Sequence, residues 1–263
     1  MTLPHDSELD LPYELAPEQI RCFRERGFVV LRQVLSPELL GHYESEISAL
    51  VSKLNRNTRP MAERAPYFQA FIQVTNLWRE SEPVREFVMN LRCARIAAEL
   101  MGVRGVRMYH DQALYKEPGG GITPWHADQF YWPMSTGLSV TAWIPLQDTS
   151  LDMGPLCFSE RSHERDYGRD LAIGPESEKR IGAFLEEAGL PEVGEPYALG
   201  DLSFHYGWNM HRTRANTTDR MRRAMTMIYM DQDMRLAEPR NPFQEHDRKT
   251  WSPGTEIGDI MAS

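Results

Sequence analysis

The order of apolar and polar positions divides the chain into a helical first part and a strand-rich second part. Ser36 and Pro37 have the form of a helix cap followed by a first-turn proline, and apolar residues then recur at helical spacing. Pro83 opens a second segment of the same kind. The two apolar stripes are Leu39, Leu40, Tyr43, Ile47, Leu50, Val51 and Leu54, and Val84, Phe87, Val88, Leu91 and Ala98. We therefore predict mainly helices over residues 15–100. The predicted exceptions are a buried strand at residues 28–31 and a loop at residues 56–66.

From Val103 onward, short stretches rich in Val, Thr, Tyr, Trp and Ile are separated by Gly and Pro. This rhythm is typical of an antiparallel sandwich or barrel rather than of alternating strands and helices. We predict strands at residues 103–109, 112–116, 139–145, 155–158, 196–204 and 222–231, which form a sandwich or barrel core over 103–231, and one helical insertion at 175–189. The polar, proline-rich tail over 232–263 is expected to be irregular. Because no long linker divides the chain, we predict one domain over residues 1–263.

Composition and charge narrow the class of protein. The chain has 263 residues, 41% hydrophobic and 25% charged, as in ordinary globular proteins. Its formal net charge of −9 does not suit the phosphate neutralisation that nucleic-acid binding requires. The three cysteines, Cys22, Cys93 and Cys157, are too far apart for a zinc ribbon, and we expect buried reduced thiols.

Targeting signals are not evident. No run is apolar enough to cross a bilayer, and the acidic segment 1–10 lacks the apolar core of a secretory signal. The Met-Ala-Ser ending is not a peroxisomal address. We expect a cytoplasmic protein with a small-molecule substrate and no nucleic-acid or membrane partner, and we leave a homodimer open.

The segment TPWHADQFYWP, residues 123–133, contains a candidate metal site. On an extended backbone His126 and Asp128 project to the same side, where an imidazole nitrogen and a carboxylate oxygen can bind one ion. A third ligand must come from elsewhere, and we prefer His211, in the segment GDLSFHYGWNMHRT, over His205. Two histidines and one carboxylate leave open positions on a metal, which suits non-haem Fe(II) oxygen chemistry. A His-x-Asp triplet also occurs by chance, so it does not decide the function alone.

An arginine on a predicted strand adds a second feature. Arg222 begins the strand RRAMTMIY and by alternation shares a face with the small residues Ala224 and Thr226. Arg223 lies on the opposite face, with Met225. A guanidinium that points into a barrel beside a metal would form a bidentate site for a carboxylate, and without an anion it would be an uncompensated buried charge.

These residues together resemble the Fe(II)/2-oxoglutarate dioxygenases of the phytanoyl-CoA dioxygenase family. The resemblance covers about residues 15–231. It is carried by His126-Ala127-Asp128, His211, Arg222 eleven residues later, the segments 123–133, 141–163 and GDLSFHYGWNMHRT, Asn76-Leu77-Trp78, and Gly27-Phe28-Val29-Val30-Leu31.

The resemblance implies a mainly β fold, a double-stranded β-helix or jelly-roll with helices packed outside it. It implies that His126, Asp128 and His211 hold Fe(II), that 2-oxoglutarate chelates the iron, and that Arg222 pairs with its remote carboxylate. Further expected cosubstrate contacts are Gln112, Thr141, Trp143 and Thr213. In the family, O₂ decarboxylates 2-oxoglutarate to succinate and a hydrogen is abstracted from an unactivated C–H bond.

The resemblance also bears on the product and the substrate. Related halogenases carry a small residue in place of the carboxylate, so Asp128 points to hydroxylation or desaturation, although epimerisation and ring formation use the same ligands. The aromatic run 130–132 and the helical lid region around Tyr67 are expected near the substrate. The expected substrate contacts are Phe71, Gln73, Gln129 and Tyr131.

Three classes of protein compete for these observations. An oxygenase acting on a small metabolite or natural-product intermediate uses all of them. A non-catalytic jelly-roll binding protein explains the strands but not a metal triad beside an anion site. A zinc hydrolase has a use for His126, Asp128 and His211 but none for Arg222.

Overall fold

The computed structural model of the protein describes residues 6–261. Residues 1–5 and 262–263 lie outside that range. They belong to the acidic segment 1–10 and to the Met-Ala-Ser ending, which were used above to judge targeting signals. The α-helices are α1 (Asp6–Asp10), α2 (Pro17–Arg26), α3 (Pro37–Leu54), α4 (Pro66–Ala70), α5 (Glu82–Val88), α6 (Leu91–Met101), α7 (Pro175–Glu187) and α8 (Pro242–Trp251). The strands are β1 (Phe28–Leu31), β2 (Ile72–Thr75), β3 (Val106–Lys116), β4 (Thr123–His126), β5 (Ser139–Pro145), β6 (Leu156–Ser159), β7 (Glu192–Gly194), β8 (Leu202–Tyr206), β9 (His211–Thr213) and β10 (Arg222–Asp231).

Two antiparallel sheets form the β core. The larger sheet has the order β1-β8-β5-β10-β3-β2, and the smaller has the order β4-β9-β6-β7. Side chains from both sheets line a common cavity. The predicted mainly β jelly-roll architecture is confirmed. Within residues 6–261 no helix has both the length and the apolar character needed to cross a membrane.

The helices of the first hundred residues cover the outer face of the larger sheet. The Ser36 hydroxyl accepts a hydrogen bond from the Leu39 backbone N–H and so caps α3, whose apolar stripe is buried. This stripe joins β10 side chains such as Met225 and Met227 in one hydrophobic cluster. Each large apolar side chain buried in this way contributes about 1.5–3 kcal/mol. Because strand residues alternate, the opposite face of β10 is left to line the cavity.

The predicted helix opening at Pro83 is two helices. The Asn90 side-chain Oδ1 accepts a hydrogen bond from Cys93 N at 2.7 Å, and its Nδ2 donates to Phe87 O at 2.7 Å. Asn90 therefore ends one helix and caps the next. Leu91, which was predicted on the buried stripe, is 47% exposed because the second helix starts with a new orientation.

Other boundaries also differ from the predictions. The strand predicted from residue 196 begins only at Leu202, because Gly200 adopts a left-handed backbone conformation with φ of 107° and Asp201 accepts a hydrogen bond from Ala198 N. Residues 103–116 contain one strand, β3, rather than two. The lid region around Tyr67 is only partly helical, because the short helix α4 is followed directly by strand β2. Cys22 is half-buried rather than buried.

The tail is not irregular throughout. Asn241 accepts a hydrogen bond from Gln244 N at 2.9 Å and caps α8, and Pro242 occupies its first turn. The Gln244 side-chain amide donates to Phe130 O at 2.9 Å. This tertiary contact anchors the helix, and the sequence pattern did not reveal it.

Candidate metal centre and adjoining cavity

The strand register brings two histidines together at one end of the smaller sheet. His126 ends β4 and His211 begins β9, and the two residues are directly paired across the strands. Ala127 is extended, and Asp128 then starts a short 3₁₀ helix over Asp128–Tyr131. His126 Nε2 and His211 Nε2 lie 3.7 Å and 3.5 Å from Asp128 Oδ1. One ligand atom from each of the three side chains lies within 4.8 Å of the other two, close enough to share one ion.

Backbone carbonyls orient both imidazoles. His126 Nδ1 lies 2.7 Å from Pro124 O, and His211 Nδ1 lies 3.0 Å from Asn209 O. The Nδ1–H of each ring therefore donates to a carbonyl, which leaves the Nε2 lone pair directed towards the other ligands. Both rings are prepared as metal ligands without further rearrangement.

The two oxygens of Asp128 have different neighbours. Thr141 Oγ1 donates to Asp128 Oδ2 at 2.9 Å, and His205 Nε2 lies 3.3 Å from the same oxygen. Thr141 and His205 are themselves cross-strand partners on β5 and β8. Asp128 Oδ1 is left facing the two ligand histidines. His205 therefore contacts the other carboxylate oxygen, Oδ2, and is not one of the three candidate metal ligands.

Burial and neighbouring charge set the protonation of this cluster. Burial, and then the neighbouring His211, lower the pKa of His126 to about 3, and the same two causes lower the pKa of His205 to about 4. Burial raises the pKa of Asp128, but His211 and His205 outweigh it and hold this pKa well below the usual range. Burial lowers the pKa of His211, but Asp128 outweighs it and the net direction is upward. The carboxylate is therefore anionic at neutral pH, as a divalent metal requires.

A cavity of about 80 Å³ adjoins the triad between the two sheets. Every predicted cosubstrate residue lines it, and so do two of the predicted substrate contacts. These residues are Gln112, Thr141, Trp143, Thr213 and Arg222, and Phe71 and Gln73. Thr226, which was predicted on the same face as Arg222, also lines it, and so do Leu114, Thr123, Leu156 and Ile173, which the sequence analysis did not identify as site residues. Ile173 comes from the loop before α7, where the sequence carries no signal of a site.

Arg222 is buried at one end of the cavity without an anion. It is 1% exposed, and its Nε and Nη1 atoms have no hydrogen-bond partner within residues 6–261. Its guanidinium carbon lies 5.5 Å from the centroid of the Trp143 ring, and Trp143 Nε1 is likewise unpartnered. Burial lowers the pKa of Arg222 to about 10, so the group remains cationic at neutral pH. An unpaired buried guanidinium is costly, and a carboxylate would satisfy it in a bidentate manner.

The neighbouring arginine faces the other way. Arg223 Nε donates to Gln147 Oε1 at 2.8 Å, and its Nη1 is paired with Glu44 of α3. Its side chain is absent from the cavity wall.

Two of the expected substrate contacts, Gln129 and Tyr131, do not line this cavity, and their contact with a substrate stays a prediction. Gln129 is 2% exposed and accepts a hydrogen bond from Ser139 Oγ at 2.9 Å while its amide donates to Thr136 O, so it lies outside the cavity. The Tyr131 hydroxyl accepts a hydrogen bond from the N–H of the lining residue Ile173 at 2.8 Å, and Tyr131 itself does not line the cavity. The 3₁₀ turn after Asp128 breaks the strand alternation, so that Gln129 contacts Ser139 and Thr136 instead.

Phe130 and Trp132 of the aromatic run do not line the cavity, whereas Tyr67 of the lid region lines it as expected. Trp132 belongs to a separate hydrophobic cluster with Tyr109, and Phe130 packs against Phe243 of α8. Tyr67 lines the cavity from α4, and its hydroxyl donates to Gln73 Oε1 at 3.1 Å. Gln73 itself lies on strand β2 rather than on a helix, and its amide donates to Gln112 Oε1.

Comparison with known proteins gives a family match over most of the chain. Residues 23–224 match the family model described as phytanoyl-CoA dioxygenase (PhyH). Phytanoyl-CoA dioxygenase domain-containing protein 1 of Bos taurus is 21% identical, and the alignment covers 91% of this chain and 98% of that protein. Ectoine dioxygenase of Streptomyces anulatus is 23% identical, with 78% of this chain and 69% of that protein covered.

Solved structures show the same fold. The carbocyclase SnoK from nogalamycin biosynthesis, a non-heme alpha ketoglutarate dependent enzyme, superposes with a TM-score of 0.78 at 24% identity, covering 96% of this chain and 97% of SnoK. EctD from S. alaskensis, solved with 2-oxoglutarate and 5-hydroxyectoine, superposes with a TM-score of 0.69 at 20% identity, covering 88% of this chain and 83% of EctD.

Proposed function

The chain belongs to the phytanoyl-CoA dioxygenase family of Fe(II)- and 2-oxoglutarate-dependent oxygenases, and from that premise we propose that it hydroxylates an unactivated C–H bond of a small metabolite or natural-product intermediate. Succinate and CO₂ are the coproducts. The observation that carries the proposal is the buried, unpaired Arg222 beside a two-histidine, one-carboxylate cluster. Neither a zinc hydrolase nor a passive binding protein requires that combination.

We place the iron on His126 Nε2, His211 Nε2 and Asp128 Oδ1. The donor set fits Fe(II), because two neutral imidazoles and one carboxylate on one face leave open positions for a second ligand and O₂. The hydrogen bonds to Pro124 O and Asn209 O support the required ring orientation. Thr141 and His205 hold the other carboxylate oxygen, which favours single-oxygen ligation by Asp128.

We place the remote carboxylate of 2-oxoglutarate on Arg222. A dianion entering the cavity loses its hydration, and a fixed guanidinium with two free donor atoms offsets that cost. Thr213, whose hydroxyl donates to Thr123 Oγ1 at 2.8 Å, lines the same cavity from the smaller sheet. Trp143 offers an unpartnered N–H nearby, and its ring excludes water from the ion pair.

Iron loaded with 2-oxoglutarate and O₂ supplies the oxidising power for breaking the substrate C–H bond. The protein's own residues fix the geometry of that step. With Asp128 as a ligand the metal would lack the position that a halide needs, so we expect a hydroxylated or desaturated product rather than a halogenated one. We expect the substrate to contact Tyr67, Phe71 and Ile173, which also line the cavity.

The proposal is tested by a screen for succinate release. The protein, loaded anaerobically with Fe(II), is given 2-oxoglutarate, isotopically labelled O₂ and a library of small metabolites, and products are identified by mass spectrometry. We expect succinate above the background for some compounds and a product with one labelled oxygen atom. Loss of two hydrogens identifies desaturation or ring formation, and an unchanged formula identifies epimerisation. A chlorinated product in chloride buffer contradicts the role given to Asp128.

A further inference from the structure

A second cavity, of about 860 Å³, adjoins the cavity at the triad. Gln73 of β2 lines both cavities, so they meet at this side chain. The other walls of the second cavity come from the end of α3 and the loop after it, from β2 and the turn that follows, and from the end of α8. Its volume lies within the range of small-molecule sites, about 300–1,000 Å³.

The cavity at the triad is too small to hold a substrate beside the cosubstrate. Its volume of about 80 Å³ corresponds to a few water molecules, since one water needs about 10–15 Å³ of such space. In the proposed function, 2-oxoglutarate takes up this space between the metal and Arg222. The body of the substrate therefore lies outside it, and the second cavity offers the necessary room next to Gln73.

Three arginines give the second cavity a positive wall. Arg56 and Arg59 come from the loop after α3, and Arg79 comes from the turn after β2. Within residues 6–261 none of these guanidinium groups is paired with a carboxylate. Glu80 is the one acidic side chain among the described residues that line the cavity. A chain with a formal net charge of −9 is thus locally positive beside its candidate active site, which attracts anions.

Aromatic rings and an amide complete this wall. The Arg79 guanidinium carbon lies 5.9 Å from the centroid of the Trp251 ring, and the exposed Phe68 lines the same cavity. Asn76, another lining residue, is 7% exposed, and its Nδ2 atom has no hydrogen-bond partner in the described part of the chain. A buried donor without an acceptor costs free energy, which a bound acceptor recovers. These groups together match a ligand that carries an anionic group on an apolar body.

We propose that the second cavity is the substrate site and that it takes a substrate with a carboxylate or phosphate group on an apolar body. This inference rests on the proposed function, whose substrate class it names. Arg59 and Arg79 bind the anionic group, because a guanidinium fits a carboxylate or a phosphate in a bidentate manner. Trp251 contacts the apolar body. The C–H bond to be broken lies on the side of Gln73, towards the metal centre.

The experiment compares three probes, phenylacetate, phenyl phosphate and the neutral phenylacetamide. Each is titrated into the anaerobic, Fe(II)-loaded protein with saturating 2-oxoglutarate, so that Arg222 is already occupied. Tryptophan fluorescence measures the Kd, because Trp251 lines the cavity. We expect saturable binding of at least one anion, with a Kd at least about tenfold lower than that of the amide. The tighter anion tells whether the site prefers a carboxylate or a phosphate.

Variants locate the binding. The double variant Arg59→Gln/Arg79→Gln should raise the Kd of the anions at least about tenfold and leave that of the amide unchanged. Lysine at the same two positions keeps the charges and should restore most of the affinity. Arg180→Gln, at an exposed arginine of α7, is the matched control and should behave as the wild type. If the double variant does not fold, Arg59→Gln alone replaces it, because this residue lies on an exposed loop.

The outcomes separate the two proposals. Equal binding of the amide and the anions overturns the inference, and so does an absence of anion binding or an unchanged Kd in the glutamine variants. Absence of 2-oxoglutarate binding in the same samples overturns the proposed function instead. The probe titrations are repeated on the metal-free protein, so the second cavity is tested in that case as well.

Discussion

Asp128 contacts both the ligand histidines and His205, and single substitutions distinguish these roles. His211 Nε2 faces Asp128 Oδ1, whereas His205 Nε2 contacts Oδ2. We expect His211→Ala to abolish Fe(II) binding. His205→Ala should retain one iron per chain with an affinity lowered about 10- to 100-fold, as for residues that orient a metal ligand. Anaerobic equilibrium binding measures both, and the opposite pattern would make His205 the ligand.

Arg222 and Arg223 provide a pair of adjacent residues with opposite orientations. Removing one partner of a buried charge-assisted pair costs about 2–5 kcal/mol, so Arg222→Ala should raise the 2-oxoglutarate requirement about 30-fold or more. Arg223→Ala should leave it unchanged, because that side chain is paired with Glu44 on the outer face. Iron affinity should change little in either variant. Titration of 2-oxoglutarate decides between them, and a larger defect in Arg223→Ala would contradict the assignment.

Residue positions could be predicted where the backbone is regular. Alternation along one strand placed Arg222 inside and Arg223 outside. The same reasoning failed at Gln129, because the chain turns into a 3₁₀ helix at Asp128. Lys116, which ends β3, is buried without a signal in the sequence, since a lysine before Glu-Pro-Gly-Gly has the sequence of an exposed turn. Its burial depends on the pairing of β3 with β10, a strand that lies far away in the sequence.

At the scale of elements, the break between α5 and α6 depends on one buried asparagine. Asn90 is 3% exposed and satisfies Cys93 N and Phe87 O. Asn90→Ala leaves both backbone groups without a partner and should lower the free energy of unfolding by about 1–3 kcal/mol. Denaturant unfolding measures the change. Ser81→Ala, at the longer 3.5 Å cap of α5, is the control and should cost less. An equal loss in the two variants would contradict this role of Asn90.

Elements defined by local signals were predicted closely. The cap and apolar stripe of α3 and the alternating run of β10 correspond to the observed helix and strand. The helix α8 was missed because its anchor is the contact between Gln244 and Phe130 O, far away in sequence. The strand expected from residue 196 was too long because Gly200 turns the chain, and composition alone does not show a left-handed glycine.

For the whole molecule, the buried Lys116 predicts a dependence of stability on pH. Burial, and then the adjacent Arg222, lower the pKa of Lys116 from 10.5 to about 6 on folding, so between these values the unfolded chain holds a proton that the folded chain lacks. Stability therefore rises with pH in this window, by up to about 1.4 kcal/mol per pH unit from this group. The difference in unfolding free energy between wild type and Lys116→Met, measured by denaturant unfolding without 2-oxoglutarate, should show that slope. A difference that is constant over the window would contradict the buried, neutral lysine.

The arrangement of the whole molecule gives this acidic chain a buried cationic group, Arg222, in the cavity between its two sheets. Helices seal the outer face of the larger sheet, and the inner faces of both sheets carry the triad and Arg222. The candidate metal ligands and Arg222 therefore line one cavity. An oxygenase needs such a common cavity if one molecule of 2-oxoglutarate is to contact both the metal and Arg222.

The most direct measurement of the central claim is an anaerobic titration of the Fe(II)-loaded protein with 2-oxoglutarate, followed by visible absorption. Iron chelated by a 2-oxo acid has a weak visible band. We predict that this band appears in the wild type and saturates at one 2-oxoglutarate per chain. It should be lost in His126→Ala. In Arg222→Ala the midpoint of the titration should move to a higher 2-oxoglutarate concentration. Bound iron that gives no band with 2-oxoglutarate would contradict the account.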